Sequence, residues 1–255
     1  MQQVITTVRE NRQISPTFYF LTFDWRSDWG TPQPGSFLEV RVSEGIAPLL
    51  RRPLGFSFYD PNLCLAGLIY EQRGTATTIL TNKKSGEPLD IIAPLGTTFG
   101  VTGTPKKVLA VGGGVGLGPA LFAAQIAHNT KIPYELILGY RNKDLVPNLN
   151  FVEHLHPIIC TDDGSVGYHG NVVSYMSEQK GNEGATIQAC GPIPMLAACH
   201  RFATENGLIC EVSMEEMMAC GVGACSGCVV EMSSGNLTRV CKEGPVYNSK
   251  ELSWL

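Results

Sequence analysis

The sequence predicts a β-barrel, a parallel-sheet α/β domain and a small cysteine-rich module, in that order along 255 residues. Three observations predict it. Short apolar runs separated by turn signals fill residues 1–103. From Thr104 the rhythm changes to alternating strand and helix. Four of the nine cysteines then fall in one tight pattern within residues 212–255.

In the first part the runs VITTVRE, TFYFLTF, SFLEVRV, FSFYD, CLAGLIYE, TATTIL and LDIIAP read as strands, punctuated by TPQPG, DPN and KKSGEP. Several short strands at such spacing make an antiparallel barrel or sandwich. Within them, Arg51-Arg52-Pro53-Leu54-Gly55-Phe56-Ser57 joins a fork of donors to a rigid turn and a hydroxyl. That set suits a phosphate contact, and equally an ordinary basic edge strand. Gly74-Thr75, after LIYEQR, offers a backbone amide and a hydroxyl to a second phosphate oxygen.

In residues 104–211, KKVLAVGGG, YELILGYR, HPIICTDDG and ATIQACGP read as strands. ALFAAQIAH, VVSYMSEQ and PMLAACHRFATEN read as helices. This alternation is Rossmann-like, with its ligand edge at the C-terminal ends of the strands. Gly112, Gly113, Gly114 and Gly116 lie between the first strand and its helix. There backbone N–H groups favour a pyrophosphate, although a tight strand–helix crossing also demands glycine. The turn is no clean G-x-G-x-x-G, and no acidic residue ends the next strand; Arg141 stands there, where a guanidinium suits a 2′-phosphate. Cys190-Gly191-Pro192 ends a strand and opens a helix, fitting either a nicotinamide wall or a plain helix entry.

The segment from Val108 to Ala127 has no charge and the length of a membrane span. Its five glycines within seven residues, and its proline, make it a soluble βα unit instead.

In residues 212–255 the pattern is Cys220-x4-Cys225-x2-Cys228, then Cys241. That is the plant-type [2Fe–2S] spacing. Structural zinc, which usually pairs its cysteines as knuckles, is the rival; a disulfide framework suits small secreted chains. Gly221, Gly223 and Gly227 let the backbone fold closely round the ligands.

The composition is 44% apolar and 16% charged with a formal charge of −4, which gives no electrostatic case for nucleic acid or an anionic membrane. The opening MQQVITTVREN has no apolar signal core, so a reducing cytoplasm is expected, with the other five cysteines as free thiols. The five histidines show no metal spacing, and no Ser-His-Asp or paired-carboxylate set stands out.

Taken together, the R-P…S motif, the GGGxGxxP turn and the C-G-P strand end resemble the ferredoxin-reductase superfamily. SMEEMMACGVGACSGCVV, VCKEGPVY, TDDGSVGYHGNV and LLRRPLGFS narrow this to the electron-transfer subunits of dihydroorotate dehydrogenase B. The resemblance implies FAD on the barrel, at Arg52, Pro53, Leu54, Phe56, Ser57, Tyr70, Gly74 and Thr75. It implies NAD at Gly112, Gly113, Gly114, Gly116, Cys190, Gly191 and Pro192, and the cluster on Cys220, Cys225, Cys228 and Cys241. Gly55-Phe56 read as extra residues between R-P and Ser57, and Met217 stands where a basic residue often precedes the cluster loop. The implied partner is an FMN-containing dihydroorotate dehydrogenase catalytic subunit, in a heterotetramer of two of each. Related readings are a reductase subunit of another redox complex (ferredoxin:NADP+ reductase, hydrogenase or sulfite reductase) and, from a different class, a zinc-stabilised binding protein.

Overall fold

The computed structural model describes residues 1–254. Strands β1 (Gln2–Gln13), β2 (Phe18–Asp24), β3 (Phe37–Arg41), β4 (Arg52–Asp60), β5 (Leu65–Glu71) and β6 (Pro88–Leu95) close into an antiparallel barrel in the order β1-β2-β5-β4-β3-β6. Alternation builds its interior: on β6, Leu89, Ile91, Ala93 and Leu95 are buried while their neighbours are not. Trp25 meets Phe56 edge-on at 5.4 Å in the middle of this core.

One expected strand is a helix. TATTIL forms α1 (Thr75–Thr81). The Thr77 hydroxyl accepts the N–H groups of Arg73 and Gly74, at 2.9 and 3.2 Å, and so closes the first turn. Ala76 and Leu80, four apart, then bury one face. Threonine's strand preference loses to that cap and that apolar pair.

The second sheet contains β7 (Val108–Gly113), β8 (Tyr134–Tyr140), β9 (Ile158–Thr161), β10 (Tyr168–His169), β11 (Thr186–Cys190), β12 (Ile209–Ser213) and β15 (Val246–Asn248), ordered β10-β9-β8-β7-β11-β12-β15. All its pairings are parallel except β12 with β15. The order reverses between β7 and β11, which places the ligand crevice beyond their C-terminal ends. Helices α2 (Leu117–Asn129), α3 (Val172–Glu178) and α4 (Ile193–Glu205) flank the sheet, and β13 (Val229–Glu231) pairs with β14 (Leu237–Arg239) in a small hairpin. No described helix is long and apolar enough to cross a membrane.

Helix α2 accounts for the uncharged stretch. Nine of its residues are buried because it lies between barrel and sheet; Phe122 joins the barrel core while Ala120, Leu121 and Ala124 join the sheet side. A helix with apolar neighbours on two sides is apolar nearly all round. The connection from barrel to sheet is held by Glu211 on β12, which is fully buried. Its carboxylate accepts the N–H of Gly100 (2.7 Å) and both the N–H and hydroxyl of Thr102 (2.8 and 2.5 Å). These charge-assisted bonds fix how the two bodies meet.

Candidate functional site

A cleft of about 250 Å³ opens where the barrel faces the crevice of the sheet. Arg52, Pro53, Leu54 and Gly55 of β4 form one wall with Ile69, Tyr70 and Glu71 of β5. Val115, Pro119, Cys190 and the segment from Ser213 to Glu216, with Met218, form the other.

The two adjacent arginines divide their work. Arg51 is committed to structure, its guanidinium gripping both carboxylate oxygens of Asp90 at 2.8 and 2.9 Å. Arg52 bonds the carbonyls of Leu50 and Arg51 and lies on the cleft, where its charge suits a phosphate. Tyr70 sits on the wall with its ring buried and stacked on Tyr19, and its hydroxyl donates to Asn11 Oδ1 at 3.0 Å. Burial pushes that phenol well above its ordinary range despite the bond. Gly74 and Thr75 are exposed at the start of α1, and a Cβ on Gly74 would meet nothing within 4 Å. That open surface adjoins Arg73 and Thr77 on the cleft.

Two expected flavin contacts lie elsewhere. Phe56 is fully buried in the barrel. Ser57 is the bulged residue where the β4–β5 register shifts between Phe56 and Phe58, and its hydroxyl accepts the Ile69 N–H at 2.7 Å. The bulge turns Ser57 toward Gly118 of α2. Gly55 reaches the cleft instead, with Pro119 at 3.0 Å from where its Cβ would stand.

The glycine turn is built chiefly by packing. A Cβ on Gly112 would stand 2.9 Å from Leu138, one on Gly113 2.7 Å from the Met195 sulfur, and one on Gly116 would overlap the Cys190 carbonyl. Gly114 alone of the four opens outward, at φ +56. Val115 and Pro119 line the cleft, whereas these four glycines, Gly191 and Pro192 do not. Pro192 caps α4, and Gly191 is pressed between Gly113 and Met195.

Cys190 is buried at the cleft, and burial together with the nearby Glu215 charge holds its thiol far above the ordinary range. Its Sγ lies 4.0 Å from Glu215 Oε1. Glu215 is open to solvent yet ringed by protein, which raises its carboxyl; Arg73 opposes the rise and Glu71 adds to it. The sequence reading missed Gly55, Ser213 and Glu215. The signal for the last two was their position at the C-terminal end of β12, the ligand edge of the sheet.

Two residues beyond Met218 the chain reaches Cys220. Cys220 is half-buried, Cys225 exposed, and Cys228 and Cys241 buried. Sulfur contacts pair Cys220 with Cys225 and Cys228 with Cys241. Among the described residues the four do not close into a single metal-binding group. The backbone nevertheless presents donors to them. Ala224 N–H points at Cys220 Sγ (3.3 Å), Gly223 N–H at Cys241 Sγ (3.1 Å) and Cys241 N–H at Cys228 Sγ (3.4 Å). Burial works to raise the Cys220 thiol, but N–H groups of Val222, Cys225 and Ala224 outweigh it and bring it down to about 6. Burial and the neighbouring Cys228 push Cys241 up to about 12. Four thiols, three of them with N–H groups aimed at their sulfurs, are the donor set an iron–sulfur cluster takes.

Beneath this loop lies a buried carboxyl. Glu39 on β3 is 1% exposed, and neither oxygen has a hydrogen-bond partner. A Cβ on Gly221 would stand 2.5 Å from Glu39 Cγ. Glycine at 221, with φ +65, is what lets the loop lie on the barrel there.

Comparison with known proteins agrees with this geometry. Residues 215–253 match the iron–sulfur cluster binding domain of dihydroorotate dehydrogenase B. The dihydroorotate dehydrogenase B (NAD(+)) electron transfer subunit of Geobacillus thermodenitrificans is 36% identical over 96% of both chains, and that of Fusobacterium nucleatum 34% over 96% of both. A solved NADH-dependent reduced ferredoxin-NADP oxidoreductase superposes with TM-score 0.83 at 25% identity, covering 98% of this chain and 90% of that one. A Neisseria gonorrhoeae ferredoxin NADP+ reductase, solved with FAD and NADP bound, shares the fold at TM-score 0.66 and 12% identity, covering 81% and 92%. With identity of this order along almost its whole length, the chain belongs to the family of dihydroorotate dehydrogenase B electron-transfer subunits.

Proposed function

We infer that this protein takes electrons from the FMN of a dihydroorotate dehydrogenase catalytic subunit and delivers them to NAD+, within pyrimidine biosynthesis. One observation carries the reading. The wall of the barrel–sheet cleft, Ser213 to Met218, runs directly into the first cysteine of the cluster loop. Flavin site and cluster site are therefore neighbours on one short segment.

FAD supplies the conversion between single electrons and a hydride, and the [2Fe–2S] cluster supplies one-electron transfer. The chain's own residues supply position. Arg52, Pro53, Leu54 and Tyr70 hold the flavin with Gly55, while Gly74 and Thr75 leave open surface for its phosphates. Cys220, Cys225, Cys228 and Cys241 hold the cluster. NAD enters over the C-terminal ends of β7 and β11, past Gly114 and toward Cys190. The Cys190 thiol keeps its proton, so it offers the nicotinamide a neutral, polarizable wall and no nucleophile. We assign the barrel, sheet and cluster module to residues 1–103, 104–211 and 212–255; β12 runs across the second boundary, and β15 of the last segment pairs with it at the edge of the sheet. The assembly is a cytoplasmic heterotetramer with two catalytic subunits.

Co-expression with an FMN-containing dihydroorotate dehydrogenase subunit tests this. The expected product is a yellow-brown complex that reduces NAD+ with dihydroorotate. A colourless protein would indicate the zinc reading, and a coloured complex without dihydroorotate-driven NAD+ reduction would indicate a reductase of the ferredoxin–NADP type.

A further inference from the structure

Arg239 ends the hairpin strand β14, two residues before Cys241, and its side chain reaches across to the cluster loop. Its Nη1 donates to the Gly223 carbonyl at 2.6 Å. Its Nε donates to Glu243 Oε2 at 3.0 Å, and Nη2 donates to Glu243 Oε1. The guanidinium is thus held from two sides, and its free edge is spent on one carbonyl.

That carbonyl has consequences for the sulfurs. In a trans peptide the C=O and the following N–H point in opposite directions. Pulling the Gly223 carbonyl toward Arg239 therefore aims the Ala224 N–H the other way, and it meets Cys220 Sγ at 3.3 Å. The preceding N–H, that of Gly223, meets Cys241 Sγ at 3.1 Å. A cationic donor on a carbonyl also polarises the peptide and strengthens the bond its N–H makes. Gly223 takes φ +83, and a Cβ there would press on Lys242 at 2.9 Å, so only glycine lets the loop hold this peptide in place.

We propose that Arg239 is the positioning residue of the cluster: through the Gly223–Ala224 peptide it sets the N–H···S bond to Cys220, and so the cluster's reduction potential. This rests on the [2Fe–2S] reading of the four cysteines. N–H···S bonds stabilise the more negative, reduced cluster and raise its potential, and a nearby fixed positive charge acts in the same direction.

The test uses the whole flavin–cluster complex. The cluster potential is followed by EPR-monitored redox titration, and the Fe–S stretching bands by resonance Raman in H2O and D2O. Arg239→Gln is expected to move the cluster potential negative and to diminish the D2O shift of the Fe–S bands, with the flavin potential unchanged. Arg239→Lys, which keeps the charge but loses the fork, is expected to show the same changes to a smaller degree. If the glutamine variant does not retain its cluster, the lysine variant decides. A lowered melting temperature with unchanged potential and unchanged D2O shift would make Arg239 a merely structural brace and overturn the proposal. Absence of any [2Fe–2S] signal in the wild-type complex would overturn the cluster reading itself, which is a distinguishable result.

Discussion

Replacing Glu39 with glutamine tests how the barrel carries the cluster loop. The wild-type carboxyl is fully enclosed, and burial raises it from 4.5 to about 7; the Arg51 and Arg52 charges oppose the rise and Cys220 adds to it. The folded protein therefore binds a proton here more tightly than the unfolded chain does. Stability from this group is intact below the unfolded value, falls as pH rises from about 4.5 to about 7, and is level above that. A rise from 4.5 to about 7, at about 1.4 kcal/mol per pH unit, sets a ceiling of about 3 kcal/mol on the loss. Glutamine has the same shape and the same unmet polar burial at every pH, so only the ionisation is removed. Urea unfolding followed by far-UV circular dichroism, at intervals from pH 5 to pH 8, reads the difference. Glu39→Gln should exceed the wild type by less than about 1 kcal/mol near pH 5 and increasingly toward pH 8, by up to that ceiling. A difference that is constant with pH, or that grows toward acid, refutes the reasoning.

Other perturbations have equally definite outcomes. Glu211→Ala strips the charge-assisted acceptor from Gly100 and Thr102 and should cost about 3 kcal/mol; amide hydrogen exchange at residues 100–102 should accelerate. Ser57→Ala leaves the Ile69 N–H unpaired inside the barrel and should cost about 1–2 kcal/mol in urea unfolding, with flavin content per chain unchanged. Gly116→Ala drives a methyl into the Cys190 carbonyl and should cost about 3 kcal/mol or more, seen as a lower urea midpoint. Cys225→Ser should keep NADH oxidation by an artificial acceptor at the flavin while losing dihydroorotate-driven NAD+ reduction; retention of both would remove the cluster from the route.

Much of the architecture is local in origin and was legible along the chain. Alternation on β6 and the strand–helix rhythm after Thr104 are short-range patterns, and hydrophobic burial converts such patterns into layers with little ambiguity. The cysteine spacing is legible for a related reason, since metal geometry restricts how few residues can lie between ligands. Where the structure departs from that pattern, a cap or a packing contact had overruled the strand preference of the residues. TATTIL has the composition of a strand, but Thr77 caps its first turn and Ala76 with Leu80 finds an apolar surface. The motif Arg52 to Ser57 could be named without saying which of its residues face the cleft, because the pairing of β4 with β5, with its bulge at Ser57, is set by a distant strand.

By itself, then, the sequence determined the three-part order, the β7–α2 turn and the four cysteines, because period and spacing are properties of neighbours in the chain. Only the tertiary structure decided that Gly55 lines the cleft while Ser57 turns toward Gly118, and that Ser213 and Glu215 bring the end of β12 into the cleft. It also decided that Glu39 lies under Gly221 and that Arg239 holds the Gly223 carbonyl. Each of these depends on a register or a loop approach between segments far apart in sequence. Close packing settles such approaches only once the whole chain is in place.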